Sequence, residues 1–351
     1  MVTNKIINED LIQITSQNID WQKFNNKTLL VTGANGSLPA YMIESLLFLI
    51  EKGIINTKII ALVRNFEKAK IRFKDYLTDD HLSFLVQDAC DPILIQEDVN
   101  YIIHAASQAS PSYYLSDPVG TLLPNILGTI NLLRFAQKCP LESFLYFSSS
   151  EVYGTLDYKE KIKEDDYGYL DPLNVRSCYA ESKRMGETIC ISWYKQYNIP
   201  IKIVRPFHTY GPGMNLNDGR VYSDFIFNIY NNQDIILRSD GKAKRSFCYI
   251  SDAVIAYFLI LLYGSKGEAY NVGNPDCEIS IIDLARTLID LFPEKNLKII
   301  MDDAKNGYLK SPINRVCPDI SKIKHIGWLP KIDINEGFYK TILSFENKQN
   351  E

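Results

Sequence analysis

The chain is read outward from Thr28-Leu29-Leu30-Val31-Thr32-Gly33-Ala34-Asn35-Gly36-Ser37-Leu38-Pro39-Ala40. A short apolar run meets a two-glycine turn, and an apolar segment then continues through Leu49. This reads as buried strand, tight turn and helix. Gly33 permits the turn, and Gly36 lets backbone N–H groups approach a pyrophosphate at the helix N-terminus. Set between a strand and a helix, such a glycine pair signals a dinucleotide site. Further buried strands are expected at Lys58–Val63, Ser83–Val86, Tyr101 onward, Phe144–Phe147 and Ile201–Val204. The fold class implied is α/β, a Rossmann-type doubly wound parallel sheet with a smaller C-terminal α/β substrate domain.

A second stretch, Arg176-Ser177-Cys178-Tyr179-Ala180-Glu181-Ser182-Lys183, heads an apolar-periodic helix. Tyr179 and Lys183 share one face of it. A tyrosine has a pKa near ~10 and is a poor base at neutral pH unless a cation stabilises its phenolate. Lys183 is placed to be that cation. Phe147-Ser148-Ser149-Ser150-Glu151-Val152-Tyr153-Gly154 follows an apolar run and reads as the polar end of a strand, where a hydroxyl and a carboxylate could meet the Tyr/Lys pair. The spacing alone is common on surface helices. Only the company of the glycine turn and the serine-rich strand end makes it a candidate active site.

These motifs together resemble the extended short-chain dehydrogenase/reductase family, the NAD-dependent epimerases, dehydratases and decarboxylases of nucleotide sugars. The resemblance runs from about Lys27 to Ile342 and implies an enzyme. It implies that Gly33, Asn35, Gly36, Ser37 and Leu38 face the cofactor, with Pro39 in place of the family's third glycine. Asp88 and Ala89, then Ala105, Ala106 and Ser107, would line the cofactor further along, and Asn125 would support the active-site backbone beside it. Arg64 stands where many relatives carry an acidic residue for the ribose, so NAD is expected and NADP is kept open. His104 is read as satisfying backbone groups in the core.

The resemblance further assigns Ser149 to orient the substrate hydroxyl, Tyr179 to take its proton and Lys183 to lower the phenol pKa. Ser150 replaces the acid of the 4,6-dehydratases, and Glu151 follows it. Ala106-Ser107-Gln108-Ala109-Ser110-Pro111 with Tyr113-Tyr114, and Asn217-Asp218-Gly219-Arg220-Val221, look like the UDP-glucuronate decarboxylases. Substrate contacts are expected from Ser110, Glu151, His208, Arg220, Arg245 and Arg315, with His208 at a position where relatives carry asparagine. The reaction implied is oxidation at C4 of a nucleotide-linked sugar, a UDP-sugar above others, with decarboxylation of a uronic acid leading. A 4-epimerase, a 4,6-dehydratase and a non-catalytic dinucleotide sensor are the alternatives. The resemblance also implies a homodimer through helices near Pro118–Lys138 and Tyr179–Tyr197.

Composition narrows the surroundings. A formal charge of −4 and a pI of about 5.7 provide no basic stripe for nucleic acid. Seven scattered cysteines without a CxxC spacing suit reduced thiols, hence a cytoplasmic protein with no metal site. The N-terminal stretch has no apolar signal core, and the Ala253–Tyr263 run is too short to cross a bilayer. Three parts are expected: a helical extension over 1–26, a dinucleotide-binding domain over 27–204, and a mainly substrate domain over 205–351 with segments returning to the first. The charge-rich Lys159–Asp166 segment is expected to be a solvated loop.

Overall fold

A computed structural model of the protein describes residues 4–156, 159–302 and 313–346. Its strands are β1 (Lys27–Thr32), β2 (Thr57–Val63), β3 (Leu82–Val86), β4 (Tyr101–His104), β5 (Ser143–Phe147), β6 (Ile201–Pro206), β7 (His208–Tyr210), β8 (Ile235–Leu237), β9 (Lys244–Tyr249), β10 (Glu268–Val272), β11 (Glu278–Ser280), β12 (Ile299–Met301) and β13 (Arg315–Val316). The helices are α1 (Lys5–Thr15), α2 (Ser37–Glu51), α3 (Phe66–Arg72), α4 (Tyr113–Ser116), α5 (Pro118–Leu123), α6 (Thr129–Ala136), α7 (Cys178–Tyr197), α8 (Val221–Tyr230), α9 (Ile250–Tyr263), α10 (Ile281–Asp290), α11 (Ser321–Lys324) and α12 (Ile334–Glu346).

Seven strands form one parallel sheet in the order β10-β6-β5-β4-β1-β2-β3. The strand order reverses between β1 and β4, which opens a crevice beyond their carboxyl ends. Both faces are covered, and the strand sequences show why. In β1, Leu29 and Val31 join the core on one face while Leu30 joins the core on the other. Ile59, Ala61 and Val63 of β2 alternate with Ile60 and Leu62 in the same way.

The later part of the chain builds a second sheet, β11-β9-β13 with β7 paired to β9, and a small β12-β8 ribbon. β10 returns to the edge of the large sheet beside β6. Helix α9 packs on β5 and β6. Its all-round apolar sequence reflects burial on nearly every side.

Helix α1 is pinned through Asp10, which accepts from Tyr249 Oη at 2.8 Å and pairs with Lys340 Nζ at 2.9 Å. Leu11, Ile14, Ile19, Trp21 and Phe24 are buried as their periodicity suggests, whereas Ile12 faces solvent. The Lys159–Asp166 segment is not the solvated loop expected. Ile162 is buried, Glu164 Oε1 accepts from Asn271 N at 2.8 Å, and the Glu164 carbonyl accepts from Arg205 Nη1 at 2.7 Å. A buried arginine needs acceptors, and this segment supplies one. The helical region after Pro118 is broken by a π-turn at Pro124–Gly128, where the proline has no N–H to continue the ladder.

Candidate active site

The nucleotide turn forms as its glycines require. Gly33 has φ +64°, and a Cβ there would stand 2.8 Å from Ala106 Cα. Only glycine fits this left-handed position against the end of β4. Gly36 precedes the first turn of α2 with extended backbone. Ser37 and Leu38 therefore carry first-turn N–H groups without helical partners, while Pro39 has none to leave unpaired. Gly36, Ser37, Leu38 and Pro39 line a cavity of about 280 Å³.

The opposite wall of the same cavity carries Ser149, Ser150, Glu151, Tyr179 and Lys183. Ser149 ends the β5 segment and caps the short turn Ser150–Tyr153 by accepting from Glu151 N at 3.2 Å. Tyr179 stands in the first turn of α7 with its ring stacked on Tyr114, centroids 5.3 Å apart. Lys183 Nζ lies 5.9 Å from the Tyr179 ring centroid and donates to the Phe147 carbonyl at 2.5 Å. Arg176 approaches Glu151 at 3.9 Å.

Burial governs the protonation of this pair. It pushes the Tyr179 phenol up to about 12, although the Ser149 hydroxyl hydrogen-bonds it and favours the phenolate. Burial likewise draws Lys183 down to about 7, with Cys190 and Glu187 opposing. The expected depression of the tyrosine by the lysine is therefore not what this geometry displays. Lys183 Nζ is spent on the Phe147 carbonyl, and burial is the largest influence on the phenol.

A third wall brings Arg220 from the start of α8 and Arg245 from β9 into the cavity, with His208 from β7. Arg220 pairs with Asp218 at 2.9 Å and donates to the Ala109 carbonyl at 3.2 Å. Arg245 donates to the carbonyls of Lys244, Ile313 and Asn314. Burial, then the Arg245 and Arg220 charges, hold His208 well below the usual imidazole range, so it is neutral. Its Nδ1 is buried without a hydrogen-bond partner among the described residues.

Several sequence expectations are corrected. Arg315 does not line the cavity: Glu278 holds it through two bonds of 2.6 and 2.9 Å, while its neighbours Ile313 and Val316 form the wall. Ser110 is turned to the Asp218 carbonyl and to Ser112 Oγ, joining two loops, and is not among the cavity-lining residues. Asn125 is fully buried behind the site, donating to Thr121 O and Ser182 Oγ. His104 meets the Pro124 backbone, as a core histidine is expected to, and two threonine hydroxyls besides, Thr32 and Thr129. Ala105 and Ser107 line the cavity; Gly33 and Ala106 meet behind it, Asn35 lies outside the lining, and Ala89 packs against Gly128. Arg64 and Asp88 stand beside one another at 3.9 Å near the ends of β2 and β3, both partly exposed.

Tyr114, Tyr222, Thr209 and Ser148 also line the cavity and were missed. The doubled Tyr113-Tyr114 was the only sequence signal for the first of them. Arg176 opened the catalytic stretch, yet nothing in the spacing showed that it would turn toward Glu151. Among the described residues no group of three or more His, Cys, Asp or Glu could hold a metal ion.

A model of the NAD dependent epimerase/dehydratase family matches residues 29–273. UDP-glucuronic acid decarboxylase 6 of Arabidopsis thaliana is 33% identical over 315 residues, covering 89% of this chain and 87% of that protein. UDP-glucuronic acid decarboxylase 1 of Xenopus tropicalis is 31% identical over 326 residues, covering 92% of this chain and 73% of that protein. The crystal structure of UDP-glucuronic acid 4-epimerase from Bacillus cereus with UDP-glucuronic acid and NAD superposes with a TM-score of 0.79 at 21% identity, covering 92% of this chain and all of that one. At that identity the likeness establishes the fold.

Proposed function

This chain belongs to the NAD-dependent epimerase/dehydratase family, and we propose that within it the protein oxidises C4 of a UDP-linked uronic acid and releases its carboxylate as carbon dioxide. The observation that carries this reading is the single cavity joining the α2 N-terminus, the Ser149–Tyr179–Lys183 wall and the Arg220–Arg245 wall. One side suits a dinucleotide, the middle an alcohol, and the far side an anion.

The Gly33 cradle and the open first turn of α2 fit NAD. Held there, NAD would supply a hydride acceptor and, in its reduced form, a hydride donor for C4. The contact between Arg64 and Asp88 supports NAD over NADP, because a 2′-phosphate at Arg64 would stand close to that carboxylate. Ser149 orients the C4 hydroxyl, and Tyr179 Oη, which must first give up its own proton against the burial that favours the neutral phenol, would receive the hydroxyl proton as the phenolate. With the C4 carbonyl β to the carboxylate, carbon dioxide leaves into an electron sink. Arg220 or Arg245 holds an anionic end of the substrate, and Glu151 or Tyr179 supplies a proton where carbon dioxide has left. Ser150 carries no acid, so elimination of water is disfavoured.

A second reading, 4-epimerisation, would use the same Ser149, Tyr179 and Lys183 wall, since it needs only that the ketone turn over before hydride returns. Incubation with UDP-glucuronate separates the two by product mass.

The α5–α7 face supports a homodimer: Leu115, Val119, Leu123, Leu127 and Met185 are exposed there. Cross-linking and mass photometry test it. All seven cysteines are free thiols, which supports a reducing compartment. No described helix is long and apolar enough to cross a membrane.

A further inference from the structure

Behind the cavity runs a line of buried hydrogen bonds, joined through the Asn125 residue itself, that none of the roles above uses. Ala106 N–H donates to Thr32 Oγ1 at 3.1 Å, and Thr32 Oγ1 meets His104 Nδ1 at 2.8 Å. His104 Nε2 meets Thr129 Oγ1 at 3.0 Å, and Thr129 Oγ1 donates to the Asn125 carbonyl at 2.6 Å. Asn125 Nδ2 donates to Ser182 Oγ at 3.0 Å, and Ser182 Oγ donates to the Tyr179 carbonyl at 2.8 Å. Thr32, His104, Asn125, Thr129 and Ser182 are essentially inaccessible to solvent.

The direction of this line is fixed by chemistry. The Asn125 carbonyl can only accept, so the Thr129 hydroxyl spends its proton there. His104 Nε2 must then carry the proton that Thr129 accepts. Nδ1 is left bare to accept from Thr32, whose oxygen already receives the Ala106 N–H. His104 is thereby held neutral and in one tautomer. Burial, with the Lys183 charge adding, keeps it so by lowering its pKa to about 3.

The two ends of the line matter. Thr32 is the last residue of β1, immediately before the Gly33 turn. Tyr179 begins the first turn of α7, and Gly186 lets that helix lie close, since a Cβ there would stand 3.0 Å from the Asn125 carbonyl. We propose that His104 is a positioning residue, tying the nucleotide turn to the main chain of Tyr179 and so setting where the phenol stands. This rests on Tyr179 acting in hydride transfer and is indifferent to the sugar.

Two measurements test it. In Thr129→Val the relay is cut without loss of bulk, and in Thr129→Ser it is kept. Followed by reduced-cofactor absorbance in a single turnover, T129V is expected to slow roughly tenfold or more, since small misplacements of a reacting group cost that much, while KM and NAD affinity change little, Tm falls because a buried donor and acceptor lose their partner, and T129S returns near wild type. An unslowed T129V, or a T129S as slow as T129V, overturns the proposal. The second measurement needs no turnover and so stands even where the proposed reaction fails. In 15N-imidazole spectra, assigned with a His104→Gln control, His104 is expected as the neutral Nε2–H tautomer from pH 5 to 9 with or without NAD. An Nδ1–H tautomer, or titration near ~6.5, overturns the proposal.

Discussion

The rings of Tyr179 and Tyr114 lie nearly parallel, 13° apart in plane with centroids separated by 5.3 Å. Tyr114 is itself held by its hydroxyl, which donates to the Ala109 carbonyl at 3.1 Å. Helix α4 and the loop before it therefore brace the Tyr179 ring. Replacing Tyr114 by Ala removes a ring contact of about 0.5–1.5 kcal/mol. It is expected to lower kcat up to roughly tenfold, with Tyr114→Phe, which keeps the ring, close to wild type in steady-state assays.

Lys183→Met is expected to abolish turnover and yet stabilise the protein at neutral pH. An unfolded chain holds the lysine proton up to about pH 10, whereas the buried amine releases it near about 7. Between those values the unfolded state binds more protons, so wild-type stability rises with pH through this window, and below it the buried charge opposes folding in full. Thermal melts should show K183M above wild type at pH 6.5, the gap closing toward pH 10. A variant less stable at every pH would refute the burial penalty.

At Gly33 an added methyl meets both a left-handed φ and the end of β4. Gly33→Ala should cost more than about 1 kcal/mol from the backbone alone. The expected outcome is a lowered Tm and weakened NAD binding in a fluorescence titration. Gly53 also has a positive φ but no atom within 4 Å of an added Cβ, so Gly53→Ala should lower Tm less and leave NAD affinity unchanged.

The two arginine candidates should part company. Arg220 lines the cavity while its guanidinium holds Asp218 and the Ala109 carbonyl, an arrangement a lysine cannot reproduce, so Arg220→Lys is expected to raise KM for a UDP-sugar tenfold or more while kcat changes less. Arg315 is engaged by Glu278, and a partly exposed pair of this kind is worth at most about 1 kcal/mol. Arg315→Ala should leave kcat and KM within a factor of about two, measured beside R220K under the same conditions.

How far the sequence could be read follows from the range of each contact. The β1–turn–α2 unit is local: its apolar run, glycines and helix start are neighbours in sequence, and they fold as neighbours. Ser149, Tyr179 and Lys183 were legible because a parallel sheet presents strand ends and helix starts along one edge. Arg315 was not, because the face a two-residue strand turns inward depends on its partner β9 and on Glu278 across the sheet. Ser110 shows the same limit, since the Asp218 carbonyl that captures it lies 108 residues away. Tyr179 and Lys183 line one cavity, as their spacing suggests, but the upward shift of the phenol was not legible, because desolvation belongs to the folded cavity and leaves no mark on spacing.

The central claim is chemical, and the most direct test is mass spectrometry of UDP-glucuronate after incubation with the protein and NAD, beside a Tyr179→Phe control. Conversion to a UDP-pentose with loss of carbon dioxide, absent from Y179F, is the expected result. UDP-glucuronate recovered at unchanged mass, whether untouched or isomerised at C4, would contradict decarboxylation.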